Sequence, residues 1–94
     1  MSDDPKAVKV TVTGVVQGVG FRDWTRREAQ KLGLTGWVRN ETDGSVAALL
    51  VGKASAVATM LERLYQGPSH SHVTDVVTEP ATVANHGSDF RITQ

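Results

Sequence analysis

The sequence predicts an α+β fold, a two-layer sandwich in which an antiparallel sheet carries two helices on one face. Three observations predict it. The apolar pattern passes from a strand period of two to a helical period and back, twice along the chain. Glycine, proline and an Asp-Gly pair stand where the period changes. At 94 residues the chain has room for one core and no second lobe.

Ala7 to Thr13 sets Val8, Val10 and Val12 on one face and Lys9, Thr11 and Thr13 on the other, a half-buried strand. Residues 1–5 are expected to form a flexible tail, leaving 6–94 as the single domain. Gly14 to Gly20 holds three glycines in seven positions, which favours a loop. From Phe21 to about Leu32, Phe21, Thr25, Ala29 and Leu32 fall near one helical face, and Gly33 is a plausible stop. Gly36 to Asn40 reads as a strand, Glu41-Thr42-Asp43-Gly44 as a hairpin turn, and Ser45 to Val51 as the partner strand. A second helix follows Gly52, with Ser55 as candidate N-cap, the stripe Val57, Met60, Leu61 and Leu64, and a stop at Gly67-Pro68. Val73 to Thr78 reads as a fourth long strand, broken by Pro80. Phe90-Arg91-Ile92 offers a short extra strand after the turn-like Asn85-His86-Gly87-Ser88. The order strand, helix, strand, strand, helix, strand is that of a ferredoxin-like βαββαβ sandwich.

Composition narrows the function. Ten basic and ten acidic residues cancel, which argues against nucleic acid as a partner, because a duplex demands that many phosphates be neutralised together. An RNA-reading sheet would also want exposed aromatics, whereas the first strand opposes its valines with Lys9, Thr11 and Thr13. No run approaches the roughly 20 apolar residues of a membrane span. The absence of cysteine fits a reducing interior, and Met1 to Pro5 lacks the regions of a signal peptide. The expected protein is cytoplasmic and monomeric.

Chemistry points to the first strand–helix junction. A glycine loop ends in Phe21-Arg22, with Arg22 in the first helical turn. Helix N-termini present unpaired N–H groups, successive loop amides can form a nest, and a guanidinium forks onto phosphate oxygens. Spacing alone leaves two readings open: a pocket for one phosphoryl group, or glycines that merely turn the chain. An arginine in a first turn opposes the helix dipole unless an anion is present, which favours the pocket. The loop is neither a Walker A sequence nor a dinucleotide fingerprint. For Asn40, taken by itself, an Asx turn before the hairpin is the plainer reading.

The segment Val12-Thr13-Gly14-Val15-Val16-Gln17-Gly18-Val19-Gly20-Phe21-Arg22 closely resembles the first signature of the acylphosphatase family. Gly36-Trp37-Val38-Arg39-Asn40, with Gly44-Ser45-Val46 and Gly52, looks like the second signature at intact spacing. Gly67-Pro68 and Phe90-Arg91-Ile92 also look familial, so the resemblance spans nearly the whole chain beyond the tail. It implies the ferredoxin-like fold already read from the pattern, and a hydrolase that cleaves the carboxyl–phosphate bond of small acyl phosphates. It implies Arg22 as the phosphate-binding arginine and Asn40 as the asparagine that holds the attacking water. The main-chain cradle then runs from Val15 through Val16, Gln17, Gly18 and Val19 to Gly20. No cofactor and no metal are implied.

The rival function is a non-catalytic anion- or RNA-binding module on the same fold. Other residues take plain roles. His70 and His72 form a His-x-His pair in a Ser-rich turn without further ligands nearby, and His86 is expected to be solvated. Asp23 is expected to point outward and suit the helix start, and Trp24 and Trp37 to pack. Thr42 could assist the water network.

Overall fold

Alternation at the start of the chain becomes β1 (Pro5–Val15), whose inward valines Val8, Val10 and Val12 are buried while the intervening residues are more exposed. The protein is described from a computed structural model covering residues 3–83 and 88–93. After β1 come α1 (Phe21–Lys31), β2 (Thr35–Asn40), β3 (Val46–Lys53), α2 (Ala54–Gln66), β4 (His72–Pro80) and β5 (Phe90–Ile92). The strands form one sheet in the order β4-β1-β3-β2-β5. The expected βαββαβ sandwich is present. Its sheet is mixed rather than purely antiparallel, because β5 runs parallel to β2, pairing Gly36 with Phe90 and Val38 with Ile92. A hydrogen bond from Thr93 N to Val38 O, 3.0 Å, continues that edge.

Two expectations at the N-terminus need correction. Pro5, assigned to the tail, already pairs with Lys53, and Asp4 O accepts from Ala54 N at 3.1 Å. Ser55 does not cap α2. It sits inside the helix, where its N–H (3.0 Å) and its hydroxyl both donate to the Asp3 carboxylate. An early acid therefore satisfies an orphan donor of the first turn. Its pKa lies below the ordinary carboxylate value, chiefly because of the Ser55 hydroxyl and then the Ser55 N–H. Asn85, His86 and Gly87 of the expected final turn lie outside the described residues.

The core lies between the helices and one sheet face. Phe21, Thr25 and Ala29 from α1 and Val57, Met60 and Leu64 from α2 are buried against the inner residues of the sheet. Truncating a fully buried residue such as Leu50 in a packed core costs about 2–5 kcal/mol. β3 is buried at every position from Val46 to Val51, a run that does not alternate. The reason is a second small cluster on the opposite face, where Ala7, Leu49 and Val51 meet Trp37 and Ala81. Trp24 packs against the main core with its ring centroid 5.5 Å from that of Phe21. Trp37 carries the Arg39 guanidinium 4.5 Å from its ring centroid.

Strand register sets the position of the site. Val46 of β3 stands opposite Val12 on one side and Asn40 on the other. The ends of β1 and β2 therefore lie two strand spacings apart at the same edge, roughly 10 Å.

Candidate active site

β1 leaves the sheet through an irregularity between Thr13 and Gly14, where its pairing with β4 shifts register. Gly14 has φ +123°, and a Cβ there would overlap the His72 carbonyl oxygen, so β4 passes too close for any other residue. Gly18 and Gly20 have φ +75° and +76°, yet an added Cβ at either would meet no atom within 4 Å. Backbone geometry, rather than packing, accounts for glycine at these two positions. Left-handed residues alternating with ordinary ones turn successive amides toward a common side, the geometry of an anion nest. Gly20 is also the N-cap of α1 and offers no side-chain hydrogen bond to the helix. The first intrahelical bond runs from Trp24 N to Gly20 O, 3.0 Å. Phe21, Arg22 and Asp23, the first three residues of α1, all line a cavity of about 210 Å³.

The cavity has a second wall. Asn40, the last residue of β2, lines it opposite the loop residues Val16, Gly18 and Gly20. The Asn40 Oδ1 is buried and, among the described residues, accepts no hydrogen bond. A buried carbonyl oxygen without a donor costs about 1–3 kcal/mol, so it marks a place where a donor is expected. The hairpin after Asn40 is tightly closed: Glu41 N donates to Ser45 O at 2.9 Å, and Asp43 Oδ1 accepts from Ser45 N at 2.9 Å and Ser45 Oγ at 2.6 Å. Those bonds, the hydroxyl first, hold the Asp43 carboxyl below its ordinary pKa. The loop is bound to this hairpin directly, since Gln17 Nε2 donates to Glu41 O and to Ser45 O, each at 2.8 Å.

Two charged residues, Arg22 and Asp23, line the cavity. Asp23 lines the cavity, but its carboxylate is engaged by Arg26 Nη2 at 2.6 Å and Arg27 Nε at 3.2 Å. The acid next to Arg22 is thus neutralised on the helix surface, where each such exposed pair contributes only about 0.2–1 kcal/mol of stability. The charged residues that line the cavity are thus Arg22 and an Asp23 whose carboxylate is already paired.

An acylphosphatase family model matches residues 8–92 of the chain. The chain belongs to the acylphosphatase family. It is 58% identical over 93 residues to the acylphosphatase of Rhizobium etli, a match covering 99% of both proteins. The structure of an acylphosphatase from Coxiella burnetii superposes with a TM-score of 0.90 at 38% identity, covering 95% of this chain and 93% of that one. The acylphosphatase of Bacillus subtilis gives a TM-score of 0.89 at 35% identity, over 94% of this chain and 98% of the other.

Of the positions matched to the acylphosphatase signatures, Arg22, Asn40, Val16, Gly18 and Gly20 meet at one cavity. Val15, Gln17 and Val19 do not line it. Val15 is more than half exposed at the end of β1, the Gln17 side chain is spent on the hairpin, and Val19 packs against the core. Thr42 is exposed at the hairpin tip and does not line the cavity. His70, at φ +74°, and His72 are exposed, and among the described residues no three His, Asp or Glu side chains converge on a possible ion position. No helix among them is long and apolar enough to cross a membrane. Ile92, which the sequence marks as part of a short last strand and not as a site residue, also lines the cavity. Only the parallel pairing of β5 with β2 brings it there, and a three-residue strand carries no signal for its partner.

Proposed function

We propose that the protein hydrolyses the carboxyl–phosphate bond of acyl phosphates, giving a carboxylate and inorganic phosphate. The observation that carries this reading is the meeting of Arg22, the glycine-turned loop and Asn40 around one cavity of about 210 Å³, with Asn40 Oδ1 buried and without a donor among the described residues. Main-chain amides of the loop where it lines the cavity, at Val16, Gly18 and Gly20, and the Arg22 guanidinium bind the phosphoryl oxygens. Their positive ends match charge that grows on those oxygens in the transition state. Asn40 Oδ1 accepts one hydrogen of a water and leaves a lone pair of that water directed at phosphorus.

The water oxygen bonds to phosphorus as the bond from phosphorus to the carboxyl oxygen breaks, and the electron pair leaves with the carboxylate. The conjugate acid of that leaving group has a pKa near 4, so it departs without a proton. The water gives up its proton late, to a phosphate oxygen. This division of labour requires no side chain that titrates near neutrality and no Lewis acid. A neutral carboxamide suits the water-holding role because it orients the water without repelling an anionic substrate. Since the grip falls on the phosphoryl group, the acyl portion lies at the mouth and is weakly selected. The absence of cysteine supports an enzyme of the reducing cytoplasm, and we take it to act as a monomer on a small molecule.

Release of phosphate from benzoyl phosphate, measured with EDTA present, tests the reading. Multiple turnovers unaffected by the chelator are expected. Binding of phosphate without turnover would instead favour the non-catalytic anion module, and turnover that depends on an added divalent ion would contradict the metal-free scheme.

A further inference from the structure

The cavity has two walls that come from different parts of the chain. The cradle and Arg22 belong to one continuous segment, residues 16–22, at the mouth of α1, whereas Asn40 ends β2 and is followed at once by the hairpin. Nothing in the covalent chain fixes the spacing between them. The Gln17 side chain bridges the two. Its Nε2 donates to Glu41 O and Ser45 O, both at 2.8 Å, from a partly buried position. A primary amide nitrogen has two hydrogens, so the donor capacity is fully used. Because both acceptors are carbonyl oxygens, only the nitrogen can face them, which fixes the orientation of the amide. The acceptors are the hairpin's own closing groups: Ser45 O also takes the Glu41 N–H at 2.9 Å, and Glu41 O takes the Gly44 N–H at 3.2 Å. Gln17 immediately precedes Gly18 in one wall, and Glu41 immediately follows Asn40 in the other.

We propose that Gln17 is a positioning residue of the reaction, whose side-chain amide sets the distance between the phosphoryl group in the cradle and the water held by Asn40. The inference rests on the hydrolysis proposed above. It assigns the side chain a task separate from the main-chain cradle, in which Gln17 would contribute only its amide. It also explains why a polar side chain beside the cavity turns away from it. Loosening the bridge leaves the cradle and Arg22 together, because they share a segment, but lets the water move relative to phosphorus. Misplacement of a reacting group by about 1 Å can cost on the order of 10²-fold in rate.

The test is a double-mutant cycle with benzoyl phosphate as substrate and inorganic phosphate as competitive inhibitor. Gln17→Met keeps length and removes both donors. It is expected to lower kcat by about 10- to 100-fold while the phosphate inhibition constant stays within about threefold. In an Asn40→Ala background the same change should alter kcat by less than about twofold, because the water it aligns is already unguided. Equal losses in both backgrounds, or a loss confined to phosphate affinity, would reduce Gln17 to a structural tether and overturn the proposal. An unchanged kcat would overturn it as well. Should Gln17→Met lack a cooperative melt, Gln17→Asn, which keeps the donors but falls one methylene short of the two carbonyls, takes its place under the same criteria. A parent protein without hydrolysis would sink the functional reading and this inference together. An active parent with additive variants sinks the inference alone.

Discussion

Replacing glycines of one loop should separate stability from activity. At Gly14 the φ of +123° lies where an alanine is strained by about 1–3 kcal/mol, and the new methyl would collide with the His72 carbonyl oxygen. That collision is with backbone, so β4 has to move. The pairings of Gly14 with Val73 and of Val15 with His72 are the ones exposed to loss, at about 1 kcal/mol per hydrogen bond. The sum is about 3–5 kcal/mol, a large share of the stability of a domain this size. At roughly 4–8 °C per kcal/mol, Gly14→Ala should lower the Tm by at least about 12 °C. Gly18 at φ +75° has no atom within 4 Å of a built Cβ, so Gly18→Ala carries only the left-handed penalty of about 1–2 kcal/mol. Because Gly18 lines the cavity, its methyl should still interfere with phosphoryl binding. Thermal melts followed by circular dichroism, beside phosphate release assays on the same samples, give both quantities. Equal Tm losses in the two variants, or a Gly14→Ala protein melting within about 5 °C of the parent, would refute the reasoning.

Arg22→Ala should lower kcat/KM for benzoyl phosphate by on the order of 10²-fold, with KM rising and kcat falling, since charge-assisted bonds of about 1.5–3 kcal/mol act in ground and transition states alike. Arg22→Lys should recover only part of the loss, because a point charge replaces a fork, and full recovery would show that charge alone suffices. Acid should weaken the fold through Asp3 and Asp43. Both carboxyls are held below their ordinary pKa in the folded state, so their contribution is complete above the unfolded value and disappears as pH falls through the folded one. Urea midpoints should therefore drop below about pH 4, and Asp43→Asn should flatten that decline. A decline of unchanged steepness in the variant would contradict the assignment.

Much of this architecture was legible because period and punctuation agree in the sequence. The alternation from Val8 to Thr13 and the stripe Val57, Met60 and Leu64 gave their elements directly, as did the glycines at either end of α1. The site was half legible. Arg22 and Asn40 could be singled out by their signatures, but their approach depends on Val46 pairing with Val12 on one side and Asn40 on the other. Register of that kind is a long-range fact without a local code. The same holds for Asp3, read as loose tail, whose carboxylate reaches Ser55 far along the chain. Ile92 and the Gln17 bridge were hidden for the same reason. Asp23 stands in the first turn of α1, as its place in the sequence suggests, and also pairs with Arg26 and Arg27 one turn on, a pairing its spacing allows.

The sharpest single test removes the carboxamide to which the attacking water is assigned while leaving the anion grip in place. Asn40→Ala should cut kcat for benzoyl phosphate by on the order of 10²-fold or more, with the inhibition constant of inorganic phosphate moving by no more than a few fold. Turnover at the parent rate, or a collapse of phosphate affinity with kcat preserved, would mean that the buried oxygen of Asn40 does not guide the attacking water.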